Sequence, residues 1–141
     1  MTVLAADLEL EMKEPGGVIA VPMVLSTVIY KGSLVSFVAA SGLVHAAADD
    51  SGDDFCGIAM EGKTAAASGE TLIRVYTEGT FLLNTTSVEA ADAGKVLTVS
   101  DDNTVTDSGS TNDVQVGKLM HIASSSTGWV KINAIAQTAA T

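Results

Sequence analysis

Two histidines and one cysteine are the residues of this 141-residue chain best suited to nucleophilic chemistry. A catalytic set would place His45 or His121 beside a nucleophile, with a carboxylate to orient the imidazole. The candidate nucleophile, Cys56, lies in an apolar stretch, where a free cysteine packs as a small hydrophobic side chain. The sequence has no Gly-x-Ser-x-Gly motif. We therefore expect two ordinary strand histidines and a packed cysteine, with no catalytic residues and no enzyme activity.

Two acidic loops offer carboxylate oxygens of the kind that Ca²⁺ binds. The first contains four aspartates and the second combines two aspartates with an asparagine: Asp49, Asp50, Asp53 and Asp54, then Asp101, Asn103 and Asp107. Neither has oxygens at alternate positions followed by a glutamate, the pattern of a helix-loop-helix calcium site. Glycine motifs that cradle phosphate are also absent from the sequence. The sequence thus predicts two solvated acidic loops, no metal and no cofactor.

The stretch 71–81 is the strand around which the other elements are arranged. Leu72, Arg74 and Tyr76 occupy alternate positions, and Ile73, Val75 and Thr77 occupy the positions between them, which is the two-residue period of a strand with two distinct faces. Gly79 interrupts the pattern, and a glycine inside a strand marks a bulge or a bend. We predict a strand that bends at Gly79 and crosses from one part of a small β-barrel to another.

The remaining chain alternates short apolar segments with turn residues. We count roughly eight to ten strands at the spacing of a β-sandwich or barrel. Ser41 and Gly42 predict a hairpin turn, and Thr86 or Ser87 is a candidate cap for one helical turn over residues 87–92. The predicted class is all-β, a small single domain. A β-barrel domain spans residues 18–135, and residues 136–141 form a loose tail.

Composition excludes several classes of partner. The formal net charge is −10, with only 7 basic residues, so neither nucleic acid nor an anionic membrane is an expected partner. Cys56 is the only cysteine, which rules out an intrachain disulfide. The first residues lack the pattern of a signal peptide, and no apolar run reaches the ~20 residues of a membrane span. We expect a soluble intracellular product.

Residues 1–17 have the pattern of an extended N-terminal arm. Leu8, Leu10 and Met12 alternate with charged residues in a strand-like stretch that stops at Pro15 and two glycines. Such a terminal strand can add to a sheet edge of a neighbouring molecule. It can equally be the first strand of the chain's own core.

Trp129 is the only tryptophan, in a chain that is 4% aromatic. It is suited either to the core or to an interface. Because the chain has so few aromatic residues with which to fill a core, we predict the core position.

The order of these motifs resembles one protein family across nearly the full chain. After the arm come Tyr-Lys-Gly at 30–32, Phe-Cys-Gly-Ile-Ala at 55–59, and Ile-Arg-Val-Tyr-Thr-Glu-Gly at 73–79. Ala-Gly-Lys-Val at 93–96, Val-Gly-Lys-Leu at 116–119 and Gly-Trp-Val-Lys-Ile at 128–132 complete the series. The pattern resembles the small capsid decoration, or cement, proteins of tailed bacteriophages.

The resemblance implies a compact β-barrel or β-tulip domain on the outside of a phage head, in the virion, made in the cytoplasm of the bacterial host. Such proteins assemble as homotrimers at local three-fold positions and bind the major capsid protein after the shell expands. It also implies that the arm runs over the shell or a neighbouring subunit, with Leu8, Leu10, Met12 and Pro15 at that interface. Two alternatives remain: a tail or fibre structural β-domain, and a small enzyme or ligand-binding β-barrel.

Overall fold

The computed structural model describes residues 17–107, 112 and 114–133. Within these ranges the chain forms twelve strands and one 3₁₀ turn, so the all-β prediction is confirmed. The strands are β1 Val18–Pro22, β2 Val28–Ile29, β3 Leu34–Phe37, β4 Val44–Ala46, β5 Asp54–Ala59, β6 Lys63–Thr64, β7 Leu72–Tyr76, β8 Glu78–Thr86, β9 Val96–Asp101, β10 Thr104–Thr106, β11 Gln115–Ser124 and β12 Thr127–Asn133.

The region predicted as one barrel contains a sheet and a barrel. The first half of the chain forms a five-stranded sheet in the order β1-β7-β5-β3-β4, with β2 and β6 pairing separately. The second half closes into a five-stranded barrel in the order β10-β8-β12-β11-β9. Between the strands that the structure describes, every pairing is antiparallel except that of β8 with β10.

The crossing strand predicted over residues 71–81 connects these two parts. β7 pairs with β1 and β5 in the sheet, whereas β8, one residue later, pairs with β12 and β10 in the barrel. Gly79 lies at the start of β8 with a φ of 127°, a backbone conformation that other residues rarely adopt. The alternating pattern and the glycine thus predicted both the strand and its bend.

Glycines inside β5 and β11 mark two bulges. In β5, the register with β3 shifts between Val35 and Ser36, so that Phe55 and Ile58 point to the same face although they are three residues apart. In β11 a similar shift follows Gln115 in the pairing with β9. A bulge inserts one extra residue into a strand and bends it, so the strand changes direction at that point.

The single helical turn spans Ala90–Asp92, inside the predicted range. The predicted caps Thr86 and Ser87 are wrong, since Glu89 is the N-cap residue. The backbone N–H of Glu89 donates to Asp92 Oδ2 at 2.8 Å, and this hydrogen bond caps the N-terminal end of the turn.

Among the described residues, mainly aliphatic side chains form two hydrophobic clusters. One fills the barrel and includes Leu97, Leu119 and Val130, and the other lies on the opposite face of the sheet. Leu34 and Phe55 extend from the sheet into the barrel cluster. The sheet therefore packs on the barrel through β3 and β5, which are buried on both faces, whereas Leu72 and Arg74 on β7 are exposed.

Candidate functional site

His45 and Asp53 form a hydrogen-bonded pair at the edge of the sheet. His45 Nε2 lies 2.7 Å from Asp53 Oδ2, and the backbone N–H of Ala39 donates to Asp53 Oδ1 at 3.2 Å. Asp53 is only 3% exposed, so both of its oxygens are satisfied by donors of the protein rather than by water. The pair ties β4 to the loop before β5.

Asp50 joins this pair in a group of three potential metal ligands. Among the described residues, His45, Asp50 and Asp53 are the one such group, with ligand atoms within 4.8 Å of one another. His45 was not predicted as part of the acidic loop, because only the register of the sheet brings it there. Ser36 on β3 is opposite His45 on one side and Phe55 on the other, which places β4 beside the loop before β5. The hydrogen bonds explain this cluster as a structural tie.

The structure does not bring the histidines and the cysteine together. Cys56 is buried in the cluster on the far face of the sheet, and burial raises the pKa of its thiol to about 12. The thiol therefore stays protonated, and only a thiolate is an effective nucleophile. His121 lies on the outer side of the barrel, where its ring is tilted against Trp129 with centroids 6.3 Å apart.

The acidic loops are held by local contacts. Asp49 Oδ1 accepts the backbone N–H of Asn112 at 2.8 Å, which links the sheet to the barrel. Asp101 Oδ1 accepts the backbone N–H of Asn103 at 2.9 Å within its own turn. Asp107 instead lies beside the carboxyl of Asp92, and burial raises its pKa above the ordinary range of an aspartate. Asp101 and Asp107 therefore have different partners and do not form one group of metal ligands.

The prediction that Trp129 lies in the core is wrong. Its neighbour Val130 is buried in the barrel, so the alternation of the strand turns Trp129 outward, where it is 37% exposed. Leu82 lies opposite it on β8, and His121 lies opposite it on β11. The low aromatic content did not predict this position, whereas the alternation of Trp129 with Val130 could have done so.

These residues belong to a continuous surface, which we call the barrel patch. Its apolar members are Leu82, Met120, Val96 and Trp129, each at least 37% exposed. Met120 is placed there by an irregularity in the β11–β12 pairing between Leu119 and His121. A neighbouring row adds Lys131 opposite Lys118, which is in turn opposite Val96. The barrel patch is thus apolar and basic in a chain of net charge −10.

The predicted arm residues Leu8, Leu10, Met12 and Pro15 lie outside the described residues. Gly17 is the first residue that the structure describes. The carbonyl oxygen of Gly17 accepts the backbone N–H of Thr77 at 2.6 Å, and Glu78 is the side chain next to it. The arm therefore joins the fold at the junction between sheet and barrel.

A cleft with a volume of about 460 Å³ lies at one end of the barrel. It is bounded by the segment around the 3₁₀ turn and by the end of β11, with the lining Ser87, Val88, Glu89, Ala90, Ile122, Ser124 and Ser125. Glu89 is the one titratable side chain in this lining, and the remaining polar groups are serine hydroxyls. Such a lining can hydrogen-bond a small polar molecule, but it has no pair of groups for acid–base catalysis.

No protein-family model matches the sequence, and no curated protein is significantly similar to it. In the part of the chain that the structure describes, no helix has the length and apolar character needed to cross a membrane.

Proposed function

We propose that the chain is a structural virion protein that binds the outside of a phage capsid and stabilises the expanded shell. Its partners are the major capsid protein and two further copies of itself, in homotrimers at local three-fold positions. The observation that carries the proposal is the barrel patch, because an exposed apolar cluster on a rigid barrel is typical of a protein-binding surface. The resemblance of the motif order to decoration proteins supplies the identity of the partner.

The mechanism is stabilisation by binding. A decoration protein that contacts several shell subunits binds only the assembled, expanded shell, and so shifts the equilibrium towards it by mass action. The protein needs no catalytic group for this role. It needs a rigid body and a surface that buries apolar area on contact, and the closed barrel with its patch supplies both.

The arm is the second attachment element of the proposal. If residues 1–17 add a strand to an edge of the shell, main-chain hydrogen bonds supply affinity, and Leu8, Leu10 and Met12 fix the register. Deleting residues 1–14 is then expected to leave a folded barrel that no longer attaches to purified heads. Deleting the tail residues 136–141 is the matched control and is expected to leave attachment unchanged. Full attachment of the arm deletion would refute this role for the arm.

The copy number of the chain in purified virus particles tests the function itself. We expect near-equal copies of the chain and the major capsid protein in a quantitative mass-spectrometric measurement. A few copies per particle would assign the chain to the tail or a fibre instead. Complete absence from particles would overturn a virion role.

A small ligand-binding barrel is the second candidate, and the cleft beside Glu89 is the observation that favours it. Its serine hydroxyls suit a small polar ligand. A thermal-shift screen with small sugars and amino acids would detect such binding. Stabilisation that is lost in Glu89→Gln, in a chain absent from virus particles, would establish this function in place of the structural one.

A further inference from the structure

A buried hydroxyl without a partner lies beside the His45–Asp53 pair. Ser36 on β3 is directly opposite His45 on β4, and opposite residues of an antiparallel pair place their side chains on the same face of the sheet. Ser36 is 0% exposed, and its hydroxyl makes no hydrogen bond within the part of the chain that the structure describes. Because a buried hydroxyl in this state destabilises the fold, native proteins normally supply a partner for it.

The imidazole of His45 is the group next to this hydroxyl. A carboxylate only accepts hydrogen bonds, so the 2.7 Å contact with Asp53 Oδ2 requires the proton of a neutral imidazole to be on Nε2. Nδ1, the ring nitrogen nearer to the backbone, then has no proton to donate to Ser36. A metal ion at Nε2 would take the place of that proton and leave the neutral imidazole protonated at Nδ1. This Nδ1–H group is a partner for the Ser36 hydroxyl, since metal-bound histidines almost always donate their second N–H to an oxygen.

Asp50 adds a second carboxylate to this position. The ligand atoms of His45, Asp50 and Asp53 lie within 4.8 Å of one another. Two carboxylates at such a separation repel each other, and a cation between them removes the repulsion. The side chain of Asp50 is exposed, and no hydrogen bond to a described residue holds it. It is therefore free to rotate towards an ion bound between His45 and Asp53.

The distances between these groups suit a tetrahedral metal site. With metal–ligand bonds of about 2.0–2.1 Å, the ligand atoms of such a site are roughly 3.3 Å apart. His45 Nε2 and Asp53 Oδ2, which are 2.7 Å apart, need to separate by roughly 0.6 Å, and Asp50 needs to approach by at most roughly 1.5 Å. Asp53 is already oriented, because the backbone N–H of Ala39 donates to its other oxygen. Small side-chain rotations therefore complete the set of ligands.

We propose that His45, Asp50 and Asp53 bind one Zn²⁺ ion, with Ser36 accepting a hydrogen bond from Nδ1–H of the bound imidazole. One nitrogen and two carboxylate ligands favour Zn²⁺, whereas Ca²⁺ and Mg²⁺ prefer sites made of oxygen alone. A water molecule completes the coordination, and the ion strengthens the tie between β4 and the loop before β5. This inference goes beyond the proposed function and does not depend on it. It departs from the expectation of a metal-free loop because that expectation considered the aspartates without His45.

Calorimetric titration of the untagged full chain with ZnCl₂ tests the site, and we expect one Zn²⁺ ion per chain. Asp50→Asn leaves the His45–Asp53 hydrogen bond intact and should weaken binding by about tenfold or more, because one of three protein ligands is lost. The matched control is Asp54→Asn, which makes the same charge change in the first residue of β5, where the alternation turns the side chain to the other face. We expect the control to change the affinity by less than about twofold, since exposed charges outside the site are screened.

His45 and Ser36 are tested by readouts that a purely structural tie would not change. The chain has only two histidines, so His121→Gln assigns their imidazole signals in NMR spectra. Zn²⁺ should shift the ring signals of His45 and leave those of His121 unchanged. Ser36→Ala should weaken Zn²⁺ binding by about 10- to 100-fold, the usual cost of removing the acceptor behind a metal-bound histidine. Without metal, the same variant should be at least as stable as the parent chain.

Three outcomes would overturn the proposal. Equal weakening by Asp50→Asn and Asp54→Asn, or no binding heat at all, means that these side chains form no specific site. Binding of Zn²⁺ or Ca²⁺ that leaves the His45 signals unchanged means that carboxylates alone hold the ion. Unchanged Zn²⁺ affinity in Ser36→Ala refutes the proposed position of the imidazole proton. The copy number of the chain in virus particles is a separate readout, which tests the proposed function alone.

Discussion

Gly117→Ala is the substitution whose effect the structure predicts most sharply. Gly117 is the third residue of β11, at the point where the register of this strand with β9 shifts. A Cβ atom built there would overlap the carbonyl oxygen of Lys131 and would lie 2.8 Å from the Cα of Ile132. Both neighbours belong to the backbone of β12, so no side chain can rotate away to relieve the contact.

The expected cost follows from what must move. Separating β11 from β12 at this point forces a backbone shift of the kind that costs about 1–3 kcal/mol when a packed interior is overfilled. Weakening a hydrogen bond between the two strands adds about 1 kcal/mol. We therefore expect Gly117→Ala to lower the free energy of unfolding by about 3 kcal/mol, and the melting temperature by about 10 °C.

Urea unfolding followed by Trp129 fluorescence measures this change directly, because Trp129 lies on the neighbouring strand. Gly57→Ala should behave similarly, since its Cβ would overlap the carbonyl oxygen of Tyr76. The matched control is Gly62→Ala, where the nearest atom, the backbone nitrogen of Lys31, is 3.4 Å away. We expect that control to change stability by less than about 0.5 kcal/mol. If Gly117→Ala is no more destabilising than Gly62→Ala, the close approach of β11 and β12 is refuted.

Four further predictions concern polar side chains that are buried or lie beside another charged group. Burial raises the pKa of the Cys56 thiol to about 12. At about pH 8 this thiol should react with a thiol reagent only as fast as the chain unfolds. Rapid modification of the native protein would contradict its burial. The hydroxyls of Ser36 and Thr85 are buried without a hydrogen-bond partner among the described residues. Ser36→Ala and Thr85→Val should therefore leave the free energy of unfolding unchanged or raise it by about 1 kcal/mol. A clear decrease of this free energy in urea unfolding would reveal a partner. The ion pair with its neighbouring lysine lowers the pKa of Asp92, so its contribution to stability is present at neutral pH and is lost as the pH falls below about 3.9. Burial and the adjacent Asp92 raise the pKa of Asp107, so its ionised carboxylate destabilises the folded chain at neutral pH. Asp107→Asn should therefore raise the melting temperature at neutral pH. Melting curves at several pH values should show that this gain vanishes in acid.

The sequence predicted the strands better than their assignment to sheets. Local alternation and turn residues are enough to find an element such as β7 or the β9–β10 hairpin, because they depend on near neighbours. Which strands pair across the fold depends on contacts between distant parts of the chain. The parallel pairing of β8 with β10 is an example, since no local pattern distinguishes it from an antiparallel pair.

The candidate surfaces were predicted less well for the same reason. His45 and Asp53 are close because β3 has a neighbour on each side, which is a property of the sheet rather than of either loop. The barrel patch needs three strands in register, with Leu82, Trp129 and His121 side by side. Trp129 was predicted in the core from the number of aromatic residues and not from the alternation of side chains along β12. A surface built from adjacent strands becomes visible only when the register is known.

The crossing from β7 to β8 is what makes the sheet and the barrel mechanically dependent on each other. Gly79 lets one continuous segment leave the sheet and enter the barrel, while Phe55 and Ile58 pack from the sheet into the barrel core. A load applied to the barrel patch is therefore passed to the sheet through both the backbone and the shared hydrophobic cluster. The arm joins at Gly17, beside this same crossing. In the role proposed above, the two attachment elements are both connected to this crossing, the arm through Gly17 and the barrel patch through Leu82 on β8.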